Sequence, residues 1–345
     1  MRKSTLSMVV SLALLLSSSA AATASSCGSY GRPIPLGVCG SSVRKHCGCN
    51  TGTLGSTVKD SSGKQYSLSN NHVLALWNTG VTGDQITQPD CVTGSSTTTV
   101  AKLTKFITLS TRGDNTVDAA IAQVVSGQVN TTDNILGIGS VSSTIGCASQ
   151  LPVQKQGAGS GRTNGSIVFC TDMLAPTDPC TGNTYNFINV ISALMNVIPQ
   201  HGDSGALLVT QGTPQAVGLI FATGGSELFA NPITTVLSDF GVTMAGPSGA
   251  VAPTTLPPPS DEEIAMEGVI SSYGHDLMKI PGVWGVGGRM GSDGRWLIKV
   301  SVEAVTPEIS AIPSTLGGFP VVITVGPRAT FLVDPQSCPN RRSSK

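Results

Sequence analysis

From about Gly52 to Val242 the chain is a series of short apolar runs broken by Gly, Asn, Ser and Thr. Gln65–Leu68, Val117–Val125, Ser166–Phe169, Ala206–Val209 and Ala216–Ala222 are examples. Runs of this length, rich in Val and Ile and bounded by turn residues, predict strands of a sandwich or barrel. Helical periodicity appears only at Ile233–Phe240, which predicts a short terminal helix. Gly246 to Pro259 is uncharged and rich in Pro, Ala and Thr, the composition of an extended linker. Ser260-Asp261-Glu262-Glu263 then reads as a capped helix start, with Ile264, Val269, Ile270, Tyr273 and Leu277 as the expected buried face. A strand-like Gly282–Gly287, the turn Ser292-Asp293-Gly294, a strand at Trp296–Val302, a short helix near Pro307–Ile312 and a strand at Val321–Val325 complete a small α+β unit.

The expected division is therefore an export signal over 1–24, a mainly β domain over 25–245, a linker over 246–259, an α+β domain over 260–334, and a tail over 335–345, basic from Asn340. Met1-Arg2-Lys3 is a basic start, Met8 to Leu16 a short apolar core, and Ala22-Thr23-Ala24 offers small residues for cleavage after Ala24. An uncleaved anchor is the alternative; the apolar core is too short to span a bilayer, and so is every later stretch. Charge is low, 12% of residues with net +0, so neither nucleic acid nor an anionic membrane is an expected partner.

The 9 Cys all follow the predicted cleavage site, and export makes disulfides the leading explanation. The odd count leaves at least one thiol unpaired or linked to another chain. Cys170 and Cys180, joined by a short Pro-containing loop, are plausible partners. His46-Cys47-Gly48-Cys49 lacks zinc-knuckle spacing and has no second Cys pair, so neither metal nor cofactor is expected.

The segment that carries chemistry is Gly202-Asp203-Ser204-Gly205, followed by Ala206-Leu207-Leu208-Val209. A serine hydroxyl attacks a carbonyl only when a neighbouring base takes its proton and donors face the oxyanion that forms. A tight Gly-flanked turn can direct the N–H groups of Gly202 and Ser204 into one pocket. Of 4 His, His72 directly follows a strand-like run, His201 sits too near the serine and is expected at the rim, His46 lies in a Cys-rich turn, and His275 belongs to the α+β unit. The acid that orients the histidine should be held among apolar residues, which suits Asp118 in Val117-Asp118-Ala119-Ala120-Ile121. Asp114 and Asp133 lie in polar surroundings and read as turn residues. Gly157-Ala158-Gly159-Ser160-Gly161 is followed by Asn164-Gly165 and a strand-like run, so it reads as a β-turn and not as a dinucleotide loop.

The order His72, Asp118, Ser204 and the Gly-Asp-Ser-Gly motif resemble the trypsin-like (chymotrypsin-fold) serine proteases. Ser69–Ala75, Val117–Ala122, Cys49–Leu54 and Gln88-Pro89 resemble a mainly bacterial subgroup with an Asn-Asn-His motif, over roughly Arg32 to Val242. Ala206 departs mildly from the Gly that trypsin has there. The resemblance implies two Greek-key β-barrels with the site between them, followed here by the small C-terminal α+β domain. It places Ile198, six residues before the serine, at the base of the specificity pocket, and makes Phe221-Ala222-Thr223 the strand that pairs with substrate backbone. It also implies an ion pair between Asp203 and Arg162, the latter in Gly161-Arg162-Thr163. The implied function is a secreted serine endopeptidase cutting peptide or protein substrates after small or medium apolar residues. A catalytically silent protease-like binding protein, and an esterase or self-processing protein with the same triad, are the alternatives.

Overall fold

The computed structural model describes residues 27–44, 46, 50–90, 97–247 and 256–332. The expected export signal, most of the linker and the tail lie outside these residues. The chain is mainly β, with one curled antiparallel sheet, one closed six-stranded barrel, and the α+β unit attached to the second.

In the first half, eight strands form one antiparallel sheet, ordered Thr243–Met244, Ser56–Lys59, Gln65–Ser69, Ala120–Val124, Thr98–Phe106, Gln85–Gln88, Val38–Ser42 and Gly52–Leu54. The last of these and Ser56–Lys59 are one run of chain interrupted at Gly55, so the sheet curls back on itself. Leu36, Val38, Leu54, Leu68, Val100, Leu103 and Ile121 fill its interior. A Cβ at Gly55 would meet the Gly205 carbonyl oxygen at 1.9 Å, so glycine lets the first barrel touch the serine turn of the second.

The second half closes completely. Pro152–Gly157, Leu207–Thr210, Ala216–Gly224, Glu227–Pro232, Phe187–Met195 and Gly161–Leu174 follow one another round a ring, and the first pairs again with the last. Alternating residues such as Val153, Ile167, Ile191, Leu208, Ile220 and Leu228 point inward. A disulfide joins Cys147 to Cys170. This corrects the expected Cys170–Cys180 pairing, although Cys180 is itself disulfide-bonded. The helix Ile233–Phe240 ends at Gly241 in the left-handed conformation, φ +67°, a conformation that glycine adopts without steric cost.

The helix Asp261–Met278 begins as the sequence suggests: Ser260 Oγ accepts the Glu263 N–H at 3.1 Å. Its buried face is Met266, Ile270, Gly274 and Leu277. Ile264 and Tyr273, expected inside, are exposed, because the face is set by packing on Phe169, Met173, Val286 and Trp296. The hairpin Val283–Met290 and Trp296–Val302 extends the second barrel's sheet through Met173↔Val286 and Leu174↔Gly285. Phe319–Val325 runs parallel beside it after a crossover. The Arg289 guanidinium, held between Asp172 (3.0 Å) and Glu227 (2.9 Å), ties this layer to the barrel, and Lys299 also reaches Glu227 at 2.8 Å.

Asp133 is not the exposed turn residue its sequence context suggests. It is buried, and its carboxylate accepts the Thr57 N–H at 2.8 Å and the Ser56 hydroxyl at 3.1 Å. Burial outweighs these bonds and pushes the carboxyl up to about 7 from 3.8. Between those two values the folded chain holds a proton that the unfolded chain has lost, so stability should fall as pH rises from about 4 to about 7. Asp133→Asn should then be more stable than the parent at pH 8 and lose that advantage at pH 4. Urea denaturation of both proteins at the two pH values measures this; a parental advantage at pH 8 would contradict it.

Candidate active site

The strand Gln65–Ser69 ends in a single helical turn, Asn71–Leu74, which carries His72. Two asparagines fix this turn. Asn70 Nδ2 donates to the Asp118 carbonyl oxygen at 2.7 Å, and Asn71 Nδ2 donates to Ile107 O at 2.7 Å and Asn78 Oδ1 at 2.8 Å. Leu76, Trp77 and Asn78 follow with φ near +50° to +70°, a strained run for non-glycine residues. Asn78 holds its end by donating to Leu109 O and accepting the Leu109 N–H.

Asp118 lies just before the strand Ala120–Val124 and not within it, because its backbone is claimed by side chains. Its N–H donates to Asn231 Oδ1 at 2.8 Å. The carboxylate accepts from His72 Nδ1 at 2.5 Å and from the His72 backbone N–H at 3.2 Å. Both side chains are fully buried, and an acid placed so fixes the orientation of the imidazole. The tautomer follows from the contact: with Nδ1 donating to Asp118, Nε2 is left as the acceptor. Nε2 is buried and makes no hydrogen bond.

Ser204 stands in the turn between Phe187–Met195 and Leu207–Thr210, with its hydroxyl donating to the Phe221 carbonyl at 3.0 Å. Gly202 has φ +97°, a conformation that requires glycine, and its carbonyl oxygen accepts from Thr53 Oγ1 at 2.7 Å. Asp203 points inward and is fully buried.

Its partner is not Arg162. Lys155 Nζ lies 2.8 Å from the Asp203 carboxylate, and both side chains are inaccessible. The carboxylate further accepts N–H groups of Gly159, Ser160 and Gln200 and the Ser160 hydroxyl. Arg162 alternates to the other face of the same hairpin, where it donates to Gln154 Oε1 and Gly137 O. Burial lowers the Lys155 amine below its ordinary range, and the Asp203 charge opposes that shift. The sequence signal for Lys155 was its place inside a strand, Pro152–Gly157, whose other inward residues are apolar or small.

Ile198 is 56% exposed and so does not floor a pocket; this corrects the expectation. His201 is exposed. Phe221, Ala222 and Thr223 lie on Ala216–Gly224, and that strand already has a partner at its edge: Ala222 pairs with Phe331 and Thr223 with Thr330. Phe331 was not foreseen. Its ring lies 5.0 Å from the His72 ring, and Trp77 packs 5.4 Å away from the same imidazole. The C-terminal unit, expected to lie apart from the chemistry, therefore enters the site. Cys27, Cys39 and Asp90 also converge within 4.8 Å of one another. The Cys27 thiol is held far above its ordinary range, first by its hydrogen bond with Cys39 and then by burial, which opposes the thiolate form a metal requires.

No protein-family model and no curated protein matches the sequence. Among solved structures, Thermobifida fusca Protease A is similar, at 19% identity and TM-score 0.43, over 62% of this chain and 99% of that one. Nocardiopsis protease is similar at 17% and 0.44, over 61% and 98%. A glutamic-acid-specific serine protease that uses a histidine triad in substrate binding is similar at 16% and 0.44, over 61% and 100%. What the site does is decided by its own side chains.

Lys155→Met should leave the Asp203 charge buried without its cation, costing about 3–5 kcal/mol of stability. It should also lower kcat about 100-fold, because the Gly202–Ser204 turn loses its anchor. Arg162→Ala, at an exposed position, should change kcat by less than about threefold. Parallel denaturation and peptidase assays compare the two; equal kinetic effects would refute the assignment of Lys155.

Proposed function

We propose that the chain is a secreted serine endopeptidase, exported with removal of residues 1–24, in which Ser204 is the nucleophile, His72 the base and Asp118 its orienting partner. The observation that carries this reading is the buried His72–Asp118 pair, whose Nε2 is left without a hydrogen bond; Phe331 packs on that imidazole and on Phe221, the residue whose carbonyl accepts from Ser204 Oγ. In the reaction His72 Nε2 takes the Ser204 proton as Oγ attacks the substrate carbonyl carbon. The Gly202 and Ser204 N–H groups receive the developing oxyanion, the imidazolium protonates the leaving amine, and water releases the acyl group by the reverse sequence. Substrate backbone adds to the edge of Ala216–Gly224 at Phe221, Ala222 and Thr223.

The preference for apolar residues before the cut bond stays part of the proposal. It rests on the apolar interior of the second barrel, where Ala206, Val217 and Ile220 lie, and no longer on Ile198. The disulfide Cys147–Cys170 suits an oxidising compartment. No described helix is long and apolar enough to cross a membrane.

Ser204→Ala should abolish peptide hydrolysis, by about 10⁴-fold or more, while leaving the thermal unfolding midpoint within a few degrees of the parent. A peptide-library digest followed by mass spectrometry measures this. Near-normal turnover by the variant would remove Ser204 from the mechanism, and strong cleavage after Arg would remove the apolar preference.

A further inference from the structure

The edge of Ala216–Gly224 that should receive substrate is filled by the chain's own residues 329–332. The segment runs antiparallel to that edge, with Thr330 opposite Thr223 and Phe331 opposite Ala222. Two further hydrogen bonds give this strand a direction and an end. The Leu332 N–H donates to the Phe221 carbonyl at 3.4 Å, and the Leu332 carbonyl oxygen accepts the Gly202 N–H at 2.8 Å. The Gly202 N–H is the donor that the proposed reaction assigns to the oxyanion. The Leu332 carbonyl is therefore seated where a carbonyl under attack would sit.

The side chains fit the same reading. Leu332 is buried in the apolar cluster of the second barrel with Ala206, Val217 and Ile220. Phe331 is covered by His72, Trp77 and Tyr185. Ala329 is buried, and its carbonyl accepts the Thr177 N–H at 3.0 Å on the side away from Ala216–Gly224. Ser204 is 0% exposed under this cover, so an external peptide reaches it only if the segment withdraws. Arg328 is tied to Glu303 at 2.9 Å, which anchors the approach to the cleft within the α+β unit.

We infer that this chain is its own first substrate: Ser204 cuts the Leu332–Val333 peptide bond in cis, and the new C-terminus at Leu332 stays seated, so that external peptides reach Ser204 only while residues 329–332 are withdrawn. This rests on the endopeptidase reading above. Ser204 Oγ leaves the Phe221 carbonyl, gives its proton to His72 Nε2 and bonds to the Leu332 carbonyl carbon. The Leu332 C–Val333 N bond breaks, and the imidazolium returns the proton to the Val333 amine. Water then adds to the acyl carbon, Oγ departs with a proton, and Leu332 is left as a carboxylic acid that ionises. The reaction needs no oxidant and no co-reactant other than water. The product keeps every contact of residues 329–332, which explains why a cleft built to bind substrate would hold it after cleavage.

The test is intact-mass spectrometry of the full chain and of Ser204→Ala, purified in parallel and incubated over a range of protein concentrations. Expected is loss of residues 333–345 from the parent alone, at a rate independent of concentration, with ¹⁸O from labelled water in the Leu332 carboxylate. Leu332→Asp places a charge in an apolar seat and should slow the loss at least about 100-fold. A parent that stays intact but hydrolyses added peptides would overturn self-cleavage and leave the endopeptidase reading standing. A parent that stays intact and hydrolyses no peptide would overturn both. Equal loss from Ser204→Ala, or a rate that rises with concentration, would overturn the cis reaction.

Discussion

A buried carboxylate organises the site. Asp203 lies one residue from the proposed nucleophile and cannot be neutralised by water. Lys155 and the groups at Gly159, Ser160 and Gln200 converge on it instead. An unpaired charge at such depth costs several kcal/mol, so the turn has one arrangement that is tolerable. That arrangement turns the Gly202 N–H outward and leaves Ser204 at the cleft. Because Lys155 belongs to a strand of the second barrel, the closed ring of that barrel is what fixes the cation. Thr53 adds a link from the first barrel: its hydroxyl donates to Gly202 O and accepts the Ala158 N–H. The proposed oxyanion donor is thus held from both halves of the molecule.

The histidine side depends on polar residues used as backbone substitutes. Asn70, Asn71 and Asn231 take hydrogen bonds that strand neighbours would otherwise make. They let the chain leave the sheet at His72 and at Asp118 without orphaned backbone groups. The result is a rigid acid–base pair in an apolar setting, walled by Trp77 and by Phe331 from the other end of the sequence.

Much of this was legible in the sequence because the signals are local. The strand runs, the helix Ile233–Phe240, the cap at Ser260 and the settings that make His72 and Asp118 a pair each depend on neighbours within a few residues. The failures are long-range. Arg162 and Lys155 lie on one hairpin, and only the pleat decides which of them faces Asp203. Cys170 meets Cys147 because the hairpin of Pro152–Gly157 with Gly161–Leu174 brings the approach to its first strand beside its second. Asp133 looks like a surface turn until the first barrel folds over it. Ile264 and Tyr273 fit a helical face that the barrel does not contact. Ala329–Leu332 carries no motif; its meaning comes wholly from the edge it pairs with.

That pairing makes the α+β unit part of the machinery. Its sheet continues the second barrel, its Arg289 network fastens it there, and its last described strand closes the cleft. On the proposed reading, reactivity at Ser204 depends on two things at once: activation by the His72–Asp118 pair, and withdrawal of residues 329–332. The most direct measurement is the rate at which a fluorophosphonate probe labels the chain, with the adduct located by peptide mapping. Expected is one adduct per chain, on Ser204, forming at least about 100-fold more slowly in His72→Ala. Labelling of another residue, or an unchanged rate in His72→Ala, would contradict the assignment of this site.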